Sequence, residues 1–226
     1  PAADAESLDR APADFVELSD NIDEMLVALE SRQTALEAAS RERIETLRRL
    51  VPPAIAERIE SGDRDVVDRI PQAGIVVAVL GGLGGLVRSH DLTTAQDLLD
   101  RLIRELDDAA AHHGLERAKL VGDTYYAGCG LSQPYLDHVP RSVAFALDVR
   151  DIIGELESAE GTPLRVAIGI HSGPVTVGLT GSQRLVYDLW GEAVHVAHFL
   201  ARRAVPGEIL VTGEVRRLLP PEVTVN

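Results

Sequence analysis

Only one cysteine, Cys129, occurs in the 226 residues of this sequence. An intrachain disulfide and a cysteine-built zinc site are therefore excluded, and the usage fits a reducing compartment. Aromatic residues are scarce, at 4%, so a core must be packed from Leu, Val, Ile and Ala. Cations are outnumbered too: 22 Lys and Arg face 36 Asp and Glu, for a formal net charge of −14. Binding along a nucleic acid is driven by clustered Lys and Arg that displace counterions, so no nucleic acid is expected as a partner, although a single nucleotide can bind locally. No apolar run reaches the roughly 18 residues of a membrane-spanning helix. What is present, 45% hydrophobic and 26% charged residues, is the balance of a globular chain with room for one full domain and an extended segment. The sequence opens at Pro1 without an initiator Met. It is expected to be the cytoplasmic part of a longer, membrane-anchored protein, with a membrane or sensor domain upstream.

Three segments are expected: an N-terminal helix over residues 1–51, a linker helix and connector over 52–72, and the main domain over 73–226. In the first, Leu18, Ile22, Met25 and Leu29 fall at alternating four- and three-residue steps, the seam of a coiled coil. The same register would put Arg32, Arg43 and Thr46 in the seam, whereas Ile44, Leu47 and Val51 mark a stripe shifted by one residue. A change of phase midway is predicted, and the alternative to a dimerising coiled coil is a solvated amphipathic helix folded back on the domain. Pro52 and Pro53 suit the first turn of a short helix over 54–60. Ile75 to Leu80 form an apolar run of strand length, closed by Gly81 to Gly85. A helix is predicted over 93–112 and a hairpin over 118–130 with Gly122-Asp123 at its turn. A helix over 139–156 follows, then strands over 164–171 and 175–179 joined through Ser172-Gly173-Pro174, a helix over 192–204 and a strand over 208–211. The order is α/β, with one mixed sheet covered by helices.

Four local sequences on these elements carry a resemblance. They are Pro52 to Arg58, Lys119 to Tyr126 (KLVGDTYY), Ile168 to Val175 (IGIHSGPV) and Tyr187 to Gly191 (YDLWG). Together, and in this order, they resemble the class III adenylate/guanylate cyclase catalytic domain. The resemblance implies a ferredoxin-like α+β fold, a mixed sheet with helices packed against it, and association of two such domains with active sites at their interface. Upstream, Asp14 to Leu18 followed by Ile22 to Leu26 resembles the second helix of a HAMP signal-relay domain, a match that any acidic amphipathic helix can mimic.

Cyclisation of ATP sends the ribose 3′-oxygen against the α-phosphate, and two divalent cations held by two aspartates assist it in this family. The resemblance places the first aspartate at Gly81, so that acid is missing, and the second at Asp123. One carboxylate suits a weak, single Mg2+ or Mn2+ site, because magnesium takes few protein ligands. Asp123 is equally good turn chemistry. Lys119 and Asp188 match the pair that reads adenine, a donor to the ring nitrogen and an acceptor for the exocyclic amine, which rejects guanine by leaving polar groups unpaired. Taken alone, Lys119 is an ordinary strand lysine and Asp188 a cap for the following helix. The asparagine and arginine that serve the transition state in the family align with His195 and Phe199, and phenylalanine offers neither charge nor a hydrogen bond. His195, with His198 beside it, reads as a packed or solvated histidine rather than a substitute base. Gly81 to Gly85 lack the spacing of dinucleotide and P-loop signatures and read as the family's phosphate loop without its acid.

The resemblance thus implies a degenerate adenylate-cyclase-type domain with no intact catalytic set, a dimeric pseudo-cyclase that transmits or regulates a signal and binds ATP. One subunit of the family dimer supplies the metal acids and the other the base-reading and transition-state residues, and this chain completes neither. A homodimer is expected, with a heterodimer containing another cyclase domain as the variant. The alternatives are an unorthodox or partner-dependent adenylate cyclase and a dimerisation element without nucleotide affinity.

Overall fold

A computed structural model describes the backbone of residues 7–63, 66–161, 163–181, 186–221 and 223, and side chains from residue 24 onward within those spans except at 48–50 and 160. The chain divides between Val51 and Pro52 into two units. The first contains helix α1, Ser7–Leu50, unbroken over 44 residues. Of the seam, Met25 and Leu29 are exposed. Leu18, Ile22 and the stretch Asp14 to Leu18 lie outside the described side chains. Ile44 and Leu47 are half-buried while Arg43 and Thr46 are exposed, the pattern of the shifted stripe. Among the described residues no helix is long and apolar enough to cross a membrane.

The second unit begins with α2, Pro53–Glu60, whose first turn starts on proline as expected. Arg58 of α2 donates to Asp63 at 2.9 Å and also pairs with Asp68, fastening the helix to the strand that follows. That strand, β1, runs Val67–Gly81, well before the apolar run that betrays it in sequence. Its first half carries Asp68, Arg69 and Pro71, and a register shift falls between Ile70 and Ala73, where a proline without an N–H is tolerated. Helices α3, Leu83–Ser89, and α4, Leu92–His112, come next. Strands β2, Leu115–Val121, and β3, Thr124–Cys129, form the expected hairpin, and α5, His138–Glu160, returns across the sheet.

The two strands expected around Ser172-Gly173-Pro174 are one: β4 runs Arg165–Thr180 without a turn. Pro174 coincides with the register shift opposite Pro71 and Gln72, so its missing amide breaks no ladder bond. Strand β5, Val186–Trp190, is additional to the strands expected from the sequence. Helix α6, Glu192–Arg203, strand β6, Ile209–Val211, and a short helix α7, Gly213–Leu218, complete the unit. The strand order is β2-β3-β1-β4-β5, antiparallel throughout, with β6 pairing parallel to β4. The sheet is therefore mixed, as expected.

Helices α4 and α5 bury one face of the sheet, where Leu102, Leu106, Phe145 and Val149 meet Tyr125, Ile168 and Ile170. Strand side chains alternate, so Gly169 points the other way, toward α6. A Cβ on Gly169 would overlap the Ala197 carbonyl and the Ala201 amide. Glycine here lets α6 lie directly on β4, and this close approach fixes where the exposed face of α6 stands.

Candidate active site

Lys119 lies on β2 and Asp188 on β5, the two ends of the strand order, yet the Lys119 Nζ donates to Asp188 Oδ1 at 2.6 Å. The natural twist of a sheet lets its ends curl toward one another. Both side chains are about one quarter exposed, at 24% and 22%. Asp188 Oδ1 also accepts the Leu189 amide at 2.6 Å. Asp188 is a strand residue, and the residue preceding α6 as its cap is Gly191, so the helix-cap reading of Asp188 is set aside. Nor is Lys119 a free surface lysine: its ammonium sits 4.9 Å from the centroid of the Tyr126 ring.

Tyr126 extends this cluster to α6. Its hydroxyl lies 2.9 Å from His198 Nδ1, and the two rings stack nearly parallel, 5.9 Å apart. Burial, followed by the negative charges of Asp188 and Asp123, pushes the Tyr126 phenol above its usual range. It is a neutral hydrogen-bonding group at physiological pH. Lysine, tyrosine, histidine and aspartate thus form one polar cluster, in which a donor and an acceptor stand side by side.

The second cluster stands where β1 ends. The Leu80 amide donates to the Asp123 carbonyl at 2.7 Å, lacing the hairpin turn to the last residues of β1. Asp123 is exposed, and its Oδ1 accepts the Thr124 hydroxyl at 2.9 Å. Gly81 follows Leu80. A Cβ there would meet only the Arg165 Cβ at 3.5 Å and the Arg165 carbonyl at 3.8 Å, ordinary contacts, so the position has room for a side chain and simply lacks one. Among the described residues, no group of three or more His, Cys, Asp and Glu side chains is placed to hold a metal. The residues present do not fit a two-ion site. The expected glycine loop is in part helical: Gly82, at φ 92°, precedes α3. A Cβ at Gly82 would collide with the Pro163 carbonyl, so only glycine follows this path.

Helix α6 exposes His195 and Phe199, as their spacing of four predicts. The Arg203 guanidinium, one further turn along, folds back to 4.9 Å from the centroid of the Phe199 ring. The i, i+4 interval was the available signal for Arg203, and the Tyr126–His198 pair had none, because 72 residues separate the partners.

The model of the adenylate and guanylate cyclase catalytic domain matches residues 67–226. An adenylate cyclase of Mycobacterium tuberculosis is 33% identical over 187 residues, covering 82% of this chain and 42% of its own length. The chain therefore spans less than half of that relative. Among solved structures, the adenylyl cyclase CyaB from P. aeruginosa superposes with a TM-score of 0.61 at 25% identity, covering 67% of this chain and 81% of its own. The guanylate cyclase domain of RhGC from Catenaria anguillulae, solved with GTP, gives 0.64 at 23% identity, with 70% and 86% coverage.

Proposed function

This chain belongs to the adenylate and guanylate cyclase catalytic-domain family, and from that premise we propose that it is a degenerate, adenylate-type member that binds ATP in a dimer and relays or regulates a signal without ordinary turnover. The observation that carries this reading is that Gly81, which brings no side chain, follows Leu80, whose amide is bonded to the carbonyl of Asp123. The end of β1 and the hairpin turn are laced together, yet a single carboxylate stands there.

Lys119 and Asp188 support adenine as the base, the ammonium donating to a ring nitrogen and the carboxylate accepting the exocyclic amine. Tyr126 lies against the ammonium and is held in turn by His198. Cyclase catalytic domains generally use Mg2+ or Mn2+, and here Asp123 with the nucleotide phosphates would hold at most one such ion, weakly. On the far side of the reaction, Phe199 gives no charge to an oxyanion, and the loss of one such stabiliser commonly costs about 10²- to 10³-fold in rate. In a family dimer the base-reading side comes from one copy and the acid side from the other, so two copies of this chain carry both deficits in each site, and pairing with another cyclase domain leaves one deficit in each. A sensor or membrane domain upstream of α1 would supply the input, and a cytoplasmic position follows from that arrangement.

Titration of the purified protein with ATP and Mn2+, with cyclic AMP measured in the same sample, tests this reading. Micromolar binding without cyclic AMP is the expected result. Metal-dependent turnover near one per second, or no ATP binding at all, would overturn it. Arg203 over Phe199 favours one second reading, an unorthodox or partner-dependent adenylate cyclase in which that guanidinium stands in for the missing one. It requires cyclic AMP production that Asp123→Ala abolishes.

A further inference from the structure

On the face of the sheet away from α6, a cavity of about 530 Å³ opens between α3, α4 and the β2–β3 hairpin. Its floor is Leu80 and Leu102, both buried, and its walls are Leu83, Leu99, Ile103 and Leu120, all half-buried. The space is half open to solvent, with Val87, Arg88 and Gly122 exposed along its lining. Two of the lining positions, Gly84 and Gly122, contribute no side chain to fill it. The volume lies within the range of small-molecule sites, which are mostly apolar with a few placed polar groups.

One lining residue is charged. Arg88, in the last turn of α3, folds back so that its Nη1 lies 3.4 Å from where a Cβ on Gly84 would stand, and it lines the cavity from an exposed position. In a chain of net charge −14, a guanidinium in an otherwise apolar lining selects for a ligand with an aliphatic body and an anionic head. Its planar fork matches a carboxylate with two parallel N–H bonds.

We propose that this cavity binds an aliphatic carboxylate, its chain against Leu99, Leu102, Ile103 and Leu120 and its head on Arg88. The occupant would rest against both segments that carry the candidate active site. Leu83 and Gly84 directly follow Gly81 and Gly82, and Gly122 directly precedes Asp123, whose carbonyl accepts the Leu80 amide. A filled cavity therefore holds the hairpin turn and the start of α3 in fixed relation. The proposal does not depend on nucleotide binding or turnover.

Calorimetry of the whole chain with decanoate, and separately with decanol as the neutral analogue, tests it below the concentrations at which either aggregates. Decanoate is expected to bind one to one and more tightly than decanol. Arg88→Ala should weaken decanoate about tenfold, the loss of one charge-assisted pair, and leave decanol unchanged. Leu99→Trp, which fills the cavity from a half-exposed helix position, should weaken both. Hydrogen exchange at the Leu80 amide should slow when decanoate is bound and not in Arg88→Ala at the same concentration. Equal response of the acid and the alcohol to Arg88→Ala would overturn the proposal, as would no decanoate binding. Binding that appears only when an oligomer is dissociated would overturn it as well, by showing that a second copy covers the mouth.

Discussion

Lys119 and Asp188, on strands at opposite ends of the strand order, are joined by a 2.6 Å ion pair in which each side chain keeps about a quarter of its surface exposed. Removing one partner leaves the other charge half-buried and unmatched, whereas replacing both removes that cost.

Lys119→Met is therefore expected to lower unfolding stability by about 1 to 2 kcal/mol, with Asp188→Leu behaving similarly. The double variant should recover most of that loss and still bind ATP no better than either single one. Denaturant midpoints and calorimetry on the three proteins check this. Recovered ATP affinity in the double variant would remove the pair from purine recognition.

Gly81→Asp should fold normally, because a side chain at that position meets only ordinary contacts with Arg165. Placed beside Asp123, it should tighten Mn2+ binding about tenfold. Cyclic AMP production should remain slow until Phe199→Arg is added, which is expected to raise it by about 10²-fold or more. A metal affinity identical to the parent protein would show that the two positions do not share an ion.

Gly169→Ala should be costly. Its methyl group would overlap the backbone of α6 at Ala197 and Ala201, and forcing the helix outward is expected to cost about 2 to 3 kcal/mol. Since α6 carries His198, the Tyr126–His198 contact should loosen with it, visible as faster hydrogen exchange along α6. An unchanged thermal midpoint would be inconsistent with the close approach described.

Stability should fall on the alkaline side. Burial pushes the Cys129 thiol up to about 12, and burial together with Asp107, which accepts the Tyr125 hydroxyl at 2.8 Å, pushes the Tyr125 phenol above its usual range. The folded state holds both protons more tightly than the unfolded chain does. Their contribution is complete below the ordinary values of the two groups and is lost as pH rises through the folded ones. Denaturant midpoints measured from pH 7 upward should decline above about pH 9, less steeply in Tyr125→Phe. For the same reason Cys129 should resist thiol reagents until the protein unfolds.

The parts of this architecture that were legible in the sequence are those whose signal is local. The leucines of α4 at helical spacing and the Gly122-Asp123 turn were placed correctly, because periodicity and turn chemistry act within a few residues. Strand β4 was not: Gly173-Pro174 looks like a turn, and only the matching irregularity across from it in β1 lets the strand continue. Strand β5 is five residues long and pairs with a partner already committed on its other side to β1, which local composition does not reveal. Within the candidate site, Lys119, Asp123 and Asp188 are singled out by the family resemblance, and the structure brings Lys119 and Asp188 into contact. The link from Tyr126 to His198 and the cation over Phe199 depend on how elements distant in sequence are brought together.

The main-chain bond from Leu80 to Asp123 has a wider consequence. In many metal sites the ion itself draws its ligands together, so the apo protein is loose there. Here one main-chain bond does that fastening, between the end of β1 and the turn that carries Asp123. Under the proposed reading, a carboxylate missing from such a corner removes a chemical capability and leaves the backbone mould in place.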